Sequence, residues 1–335
     1  MEGKMRIKYI LLVVGLHLSV VIHAQQVGRY SMYMQNFYAV NPAAAGLEEH
    51  LDATIGYRQQ WIGMPNAPQN YFISANMPLK KEFRSPVPGS IRISDPSAYK
   101  AELPASRTAR AGIGAMANVN QYGAFKYTQL YATYAYHLPV TKKMNLSFGA
   151  NVGLNMRTID QQLITLEMPD DPYYSQVITD VQQNSSMLDI DIGFMLYARK
   201  FFVGYSSEQL LGNTVVFGSN LGGRQLIVHH KLLLGKTIWI NRKLKAIPNG
   251  FIYFTRQGLL SLEANVRLDY RDQVWAGLSY RHQDAVIPMF GVYINDQIKI
   301  GYAYDLNIGG LRRYVPGGSH EIMLGFMFGN KREVF

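Results

Sequence analysis

The sequence predicts an all-β fold, namely a transmembrane antiparallel β-barrel of about 14 strands in a bacterial outer membrane. Three observations predict this class. The chain begins with an export signal, apolar and polar residues then alternate with period two in runs of roughly ten residues, and the links between these runs alternate between short and long.

Residues 1–24 have the pattern of a secretory signal peptide. Lys4, Arg6 and Lys8 give a positive start, an apolar stretch occupies 10–22, and Ala24 precedes the expected cleavage site. The apolar stretch is short for a membrane helix, which needs roughly 20 residues. We therefore expect this segment to be removed, and no later window is apolar enough to predict a transmembrane helix.

Residues 25–50 precede the first predicted strand and contain the stretch NPAAAG, Asn41 to Gly46. Proline disfavours helix at the residue before it, so Asn41-Pro42 predicts a turn. The three alanines and the glycine carry little side-chain bulk, which suits a place where one backbone passes close to another. We expect an N-terminal periplasmic segment with a turn at this stretch.

The alternation that predicts a barrel over 51–335 is clearest near residue 265. Leu262 and Val266 fall on one face, whereas Glu263 and Arg267 fall on the other. Strands of soluble proteins average about 5 to 6 residues, so runs near ten disfavour a soluble β-sandwich. A polar lumen, either open or plugged, accommodates the charged face. Candidate strands lie near 51–60, 69–79, 110–120, 126–138, 144–158, 187–198, 200–206, 225–240, 244–254, 258–270, 272–281, 285–294, 297–305 and 319–328.

Link lengths orient the predicted barrel. With a periplasmic N-terminus, short links such as 139–143, 271–272 and 295–296 face the periplasm. The long links 159–186, 207–224 and 306–318 face outward. Short periplasmic turns and longer outer loops are typical of outer-membrane barrels.

The link over residues 80–109 departs from this pattern, because it is long and rich in proline although it falls on the periplasmic side. Long loops in compact domains are usually functional or disordered. The segment is a candidate docking or plug segment, with Lys80, Lys81 and Arg84 as candidate partner contacts, and a simple insertion is the alternative.

The outer link 159–186 is acidic and aromatic at its centre. Asp170, Asp171, Tyr173 and Tyr174 are candidate partner contacts there, and an ordinary solvated loop is the alternative. The spacing of these acids matches no calcium-binding loop.

Composition narrows the function classes. The chain has no cysteine, so it forms no disulfides and carries no lipid-modified N-terminal cysteine. Its formal net charge is +10, which in an exported barrel points to outer-membrane lipids or an acidic protein rather than to nucleic acid. No GxSxG, HExxH or phosphate-loop motif occurs, and the adjacent His229 and His230 point to opposite faces of a strand. We therefore expect that the protein is not an enzyme and that it binds no cofactor or metal. A general porin or small-solute channel and, less favoured, an outer-membrane lipid-modifying enzyme remain alternatives.

Three stretches carry a resemblance to a known family. They are YMQNFYAVNPAAAG, YRQQWIGMPNAPQNYFISANMPL and, near the C-terminus, GYAYDLNIGGLRRYVPGGSHEIMLGFMF. In this order they resemble the PorP/SprF family of outer-membrane proteins in the type IX secretion system of Bacteroidetes. The resemblance implies a 14-stranded, non-enzymatic barrel that serves protein secretion and gliding motility. The partners it implies are a secreted surface adhesin or its C-terminal domain, and periplasmic or peptidoglycan-associated secretion components.

The positions that match the family signatures are expected to have structural roles. Because the first and last strands adjoin when a barrel closes, we expect Arg58 to pair in the lumen with Asp305 or Glu321. The signature positions are Asn41, Pro42, Gly46, Tyr57, Arg58, Gln60, Trp61, Pro68, Tyr304, Asp305, Ser319, His320 and Glu321.

Overall fold

A computed structural model gives the fold of residues 30–79, 109–141, 143–164, 184–212, 216–217, 227–313 and 317–329. In these ranges the chain forms 14 long antiparallel strands. They are β1 Leu51–Gln59, β2 Gln69–Pro78, β3 Arg110–Tyr122, β4 Phe125–Pro139, β5 Met144–Ile159, β6 Asn184–Ala198, β7 Phe201–Glu208, β8 His229–Lys236, β9 Leu244–Thr255, β10 Gly258–Tyr270, β11 Val274–Arg281, β12 Ala285–Tyr293, β13 Ile298–Asn307 and β14 Ser319–Phe328.

The sheet closes on itself. Each strand pairs with the next along the chain, and β14 pairs with β1 from Leu51 opposite Phe328 to Gln59 opposite His320. Among the described strands, closure leaves no strand at an open edge, which is the condition for strands to span a membrane. The predicted class and strand number are therefore confirmed.

One predicted strand is shorter than the sequence suggested. The candidate at 225–240 forms β8, and the pairing with β9 then breaks at Thr237 and resumes in the two-residue strand Ile238–Trp239. At the break the Thr237 amide donates instead to the Lys200 carbonyl oxygen at 2.8 Å. At this break β9 has no partner on its β8 side at Pro248, which has no N–H to donate, whereas on its other side Pro248 pairs with Val266 of β10.

The two faces of the strands differ as the alternation predicts. Outward-facing Leu278 and Phe290 are 56% and 60% exposed, whereas inward-facing Glu263 and Arg267 are each 2% exposed. An apolar outer surface suits lipid, and the charged residues lie in the enclosed lumen. In the part of the chain described, no helix is long and apolar enough to cross a membrane.

The strand ends form two mouths. We call one the turn mouth, because it holds the short links 140–143, 199–200, 271–273 and 294–297. It also receives the start of β1, the end of β14 and the β2–β3 link. We call the opposite one the loop mouth, because it holds the long links 160–183, 209–228 and 308–318.

Candidate functional site in the lumen

The lumen is occupied by the chain's own N-terminal segment. Residues 30–50 precede β1 and contain three short 3₁₀ turns, Tyr33–Gln35, Phe37–Ala39 and Pro42–Ala44. Within this segment residues 36–48 are all buried. We call residues 30–47 the lumen segment. This placement corrects the expectation of a periplasmic segment over 25–50: the described part lies inside the barrel, because its apolar side chains are buried there against the wall. The signal sequence, 1–24, lies outside the described residues.

Apolar side chains of the lumen segment pack into two clusters on the inner wall. One cluster contains Tyr33, Phe37 and Tyr38 of the segment together with wall residues such as Phe202 and Ile247. The rings of Phe37 and Phe202 lie 5.0 Å apart. In the second cluster Met32 packs with another set of wall residues, among them Phe72, Trp275, Ile287, Met289 and Met323. Burial of this apolar surface supplies the main attraction between segment and wall.

The NPAAAG stretch forms the third turn, as its proline predicts. The Asn41 side-chain oxygen accepts from the Ala43 amide at 2.9 Å, and Pro42 is the first residue of the turn. The Asn41 amide group also donates to the carbonyl oxygens of Phe194 and Tyr205, at 3.1 and 3.3 Å. Asn41 therefore shapes the turn and fastens it to two neighbouring wall strands, β6 and β7.

Glycines in the wall make room for this turn. A Cβ added at Gly149 would overlap the Pro42 carbonyl and the Ala43 amide, and one added at Gly112 would overlap the Ala45 carbonyl. Gly46 itself has a φ of +71°, in the left-handed region that favours glycine. The small residues on both sides thus let two backbones meet, which explains the composition of the stretch.

Wall side chains also satisfy the backbone carbonyls of the turn. The Ser206 hydroxyl donates to the Val40 carbonyl oxygen at 2.8 Å, and the Ser147 hydroxyl donates to that of Ala43. His137 Nε2 lies 2.9 Å from the Ala45 carbonyl oxygen. Because a carbonyl oxygen only accepts, that nitrogen carries the proton. Irregular backbone can lie at membrane depth when protein surrounds it and supplies such partners.

The start of the lumen segment is held by buried charges where the barrel closes. Arg58 Nη2 lies 2.7 Å from Asp305 Oδ2, and Arg58 Nη1 lies 3.2 Å from Glu321 Oε2. Arg281 binds the same Asp305 at 2.9 Å and Glu263 at 2.9 Å. The expected pairing of Arg58 is thus present with both carboxylates. We call these five residues the closure cluster.

The closure cluster holds the lumen segment by its backbone. The amides of Ser31 and Met32 donate to the two oxygens of Glu321 at 2.7 and 2.9 Å. The Ser31 hydroxyl donates to Asp305 at 2.8 Å and accepts from Arg58 at 2.8 Å. The carboxylates therefore have partners from the segment as well as from the wall, as buried charges require.

A second buried charge group lies toward the turn mouth. Lys299 pairs with Asp52 at 2.6 Å and also donates to the Gln35 carbonyl oxygen at 3.3 Å. Arg267 binds Asp269 at 2.5 Å, and its guanidinium lies 5.0 Å from the centre of the Trp275 ring. These contacts fix charged wall residues around the segment.

The other signature residues lie away from the lumen segment. Tyr57 and Tyr304 are on the outer sides of their strands, and the His320 ring lies tilted against that of Tyr304 with centroids 4.7 Å apart. Gln60 and Pro68 frame the β1–β2 link, where the Gln60 amide donates to the Pro68 carbonyl oxygen at 2.9 Å. In the same link, the Trp61 amide donates to the Ser319 hydroxyl at 3.2 Å. The signature thus combines lumen residues with residues that shape the loop mouth.

The candidate partner contacts lie outside the described residues. They are Lys80, Lys81, Arg84, Asp170, Asp171, Tyr173 and Tyr174. In the described ranges, no group of three or more histidines and carboxylates is placed to hold a metal ion.

Sequence reasoning missed several contributors to the site. Ser31 and Arg281 were not singled out, although Arg281 falls on the polar face of its strand, and Glu263 was expected in the lumen without a partner. Gly112 and Gly149, the wall residues that lie against the NPAAAG turn, were also missed. A search for glycines on the inward face, opposite a small-residue stretch, could have found this seat.

The closed barrel, its apolar outer surface and its polar lumen define the class as an outer-membrane β-barrel. The family comparison is more specific: residues 22–326 match the type IX secretion system membrane proteins PorP/SprF. The chain belongs to this family, as the resemblance indicated.

Solved structures show likeness in fold alone. The Ralstonia pickettii toluene transporter TbuX is 10% identical, with 88% of this chain and 92% of that chain covered and a TM-score of 0.49. The Acinetobacter baumannii outer membrane protein Omp33 is 9% identical, with 84% and 100% covered and a TM-score of 0.45. At such low sequence identity, the likeness says nothing about which solutes this chain transports or binds. A search of curated proteins found no significant match.

Proposed function

We propose that this barrel is a non-conducting component of the type IX secretion machinery that binds or stabilises a secreted surface adhesin, during export or at the cell surface. Family membership supports the secretion role. The observation that carries the non-conducting role is the lumen segment, which occupies the space that a solute channel needs. We also propose that the barrel takes part in gliding motility.

The lumen segment contacts strands around most of the barrel. Ser31 bonds to β1, β11, β13 and β14 through the closure cluster, and the Tyr33 hydroxyl donates to Asn249 of β9 at 2.7 Å. Asn36 bonds to Ser74 of β2 at 2.8 Å, and Tyr38 bonds to Thr133 of β4 at 2.6 Å. With Asn41 on β6 and β7, the segment reaches across the lumen. Such a barrel acts on a macromolecule through its mouths and outer surface.

The links supply the proposed contacts. Lys80, Lys81 and Arg84 give the β2–β3 link a basic start that suits a periplasmic or peptidoglycan-associated secretion component. Charges at the rim of an interface mainly raise the association rate. Asp170, Asp171, Tyr173 and Tyr174 offer acid and aromatic groups for the adhesin or its C-terminal domain. Outer-membrane lipids surround the apolar wall.

The test is chemical crosslinking in the native outer membrane, followed by purification of the barrel and identification of the proteins attached to it. We expect a secreted adhesin among them, and we expect deletion of the barrel gene to abolish surface display of that adhesin. Unchanged display in the deletion strain would contradict the proposal.

A variant with residues 82–107 replaced by a short Gly/Ser turn tests the link separately. It should assemble, because closing a long loop costs little more than closing a short one, and it should deliver less adhesin. Arg242→Ser with Lys243→Ser, in an exposed short link, is the matched control for loss of basic charge. Full display by the assembled loop variant would exclude a docking role for the link.

A further inference from the structure

We infer that the lumen segment runs through the barrel from the loop mouth to the turn mouth, so that the chain before Tyr30 enters at the loop mouth. This path is independent of the proposed secretion role. It also opposes the expectation of a periplasmic N-terminus for a barrel whose long links face outward.

The upper end of the path is fixed by Ser31. Its partners all lie within two residues of strand ends at the loop mouth. Arg58 is one residue before the end of β1, and Arg281 is the last residue of β11. Asp305 is two residues before the end of β13, and Glu321 is two residues after the start of β14. Four strands therefore place Ser31 just beneath the loop mouth.

The lower end of the path is fixed by residues 45–47, which bind near strand ends at the turn mouth. The Ala45 carbonyl oxygen binds His137, two residues before the end of β4. The Gly46 amide donates to Asn76 at 3.0 Å, and Asn76 is two residues before the end of β2. Arg110, the first residue of β3, donates to the Leu47 carbonyl oxygen at 3.1 Å.

Between these ends, Lys299 reaches the Gln35 carbonyl oxygen from one residue inside the turn-mouth end of β13. Other contacts lie at intermediate depth. Tyr33 binds Asn249, five residues into β9 from the turn mouth, and Asn41 binds carbonyls in the interiors of β6 and β7. The chain then begins β1 at the turn mouth with Leu51. A segment that starts beneath the loop mouth and leaves at the turn mouth crosses the lumen once, in the direction opposite to β1.

The direction of entry has two consequences. Tyr30, the first described residue, lies beneath the loop mouth, where β13 ends and β14 begins. The segment must also be enclosed while the barrel closes, because β1 and β14 form the seam and both bind Ser31.

Single-cysteine labelling tests the path, because the natural chain has no cysteine. Val27→Cys reports on the mature N-terminus. Arg312→Cys, exposed in the β13–β14 link, reports on the loop mouth, and Gln297→Cys, exposed in the β12–β13 link, reports on the turn mouth. The probe is a membrane-impermeant maleimide polymer, applied to intact cells and to cells with a permeabilised outer membrane.

One mouth's cysteine reacts in intact cells, and the other mouth's cysteine reacts only after permeabilisation. We expect Val27→Cys to follow the pattern of Arg312→Cys and to differ from that of Gln297→Cys. This comparison holds whichever mouth faces the outside. Reaction together with Gln297→Cys would overturn the path. Reaction only after denaturation would mean that residue 27 is enclosed within the folded barrel, and this result would also overturn the proposed path. A gel shift on heating verifies that each variant is folded, and the intact mass verifies that residue 27 is retained.

Discussion

Arg58→Met should markedly weaken the barrel, because Arg58 is the buried guanidinium shared by two carboxylates and the lumen segment. Arg58 is 3% exposed, and Asp305 and Glu321 are 2% and 0% exposed. Removing one partner of a buried ion pair costs about 3 to 5 kcal/mol, because the other charge stays buried without compensation. Asp305 keeps Arg281 at 2.9 Å, and Glu321 keeps two backbone amides. We therefore expect the lower end of this range, about 3 kcal/mol.

The measurement is the free energy of unfolding by guanidinium for protein folded in phospholipid vesicles, followed by tryptophan fluorescence. Arg242→Met, at an exposed position in a short link, is the matched control and should change stability by less than about 0.5 kcal/mol.

The double variant Arg58→Met/Glu321→Leu separates the charge effect from simple loss of packing. It should cost less than the sum of its two single variants, with a coupling of about 0.5 to 3 kcal/mol, since it leaves no unpaired charge between these two positions. Additive losses, or an Arg58→Met variant as stable as the Arg242→Met control, would refute this account of the closure cluster.

Three further predictions concern the seat of the lumen segment and the barrel. Gly149→Ala should lose about 1 to 3 kcal/mol in the same unfolding assay, because the new methyl group would overlap Pro42 and Ala43. Gly250→Ala, whose methyl group would meet nothing closer than 3.7 Å, should not be destabilised, and equal effects of the two changes would reject the tight seat. Asn41→Ala should cost about 1 to 3 kcal/mol and expose the segment to protease, since the Ala43 amide loses its side-chain acceptor. Wild-type protease resistance would contradict that role. Unboiled protein should migrate differently from boiled protein on a gel and give a β-type circular dichroism spectrum, whereas a largely helical spectrum with no shift would contradict the barrel.

The barrel could be predicted because its determinants are local and repeated. Residues 262–269 alternate Leu, Glu, Ala, Asn, Val, Arg, Leu and Asp, and period two alone assigns each to lipid or lumen. Adjacency of the first and last strands then brought Arg58 to Asp305 and Glu321. The break beside Pro248 was less predictable, since it depends on where β8 stops pairing with β9.

The path of residues 30–47 could not be predicted from their own pattern. These residues form 3₁₀ turns without a repeated spacing, so their burial depends on a complementary wall. The relevant wall residues, such as Gly112, Gly149 and His137, are distant in sequence and neither charged nor part of a motif. The sequence indicated a close backbone approach at NPAAAG, but it did not indicate the surface that the backbone approaches.

Electrical recording tests most directly the central claim that the chain fills its own lumen. Purified, heat-modifiable protein is inserted into a planar lipid bilayer, and a protein lacking residues 26–47 is inserted under the same conditions for comparison. The account predicts no stable stepwise conductance from the full-length barrel, and an increase in conductance from any truncated protein that inserts in folded form. Steady porin-like conductance from the full-length folded barrel would contradict the occupied lumen and the non-conducting role that rests on it.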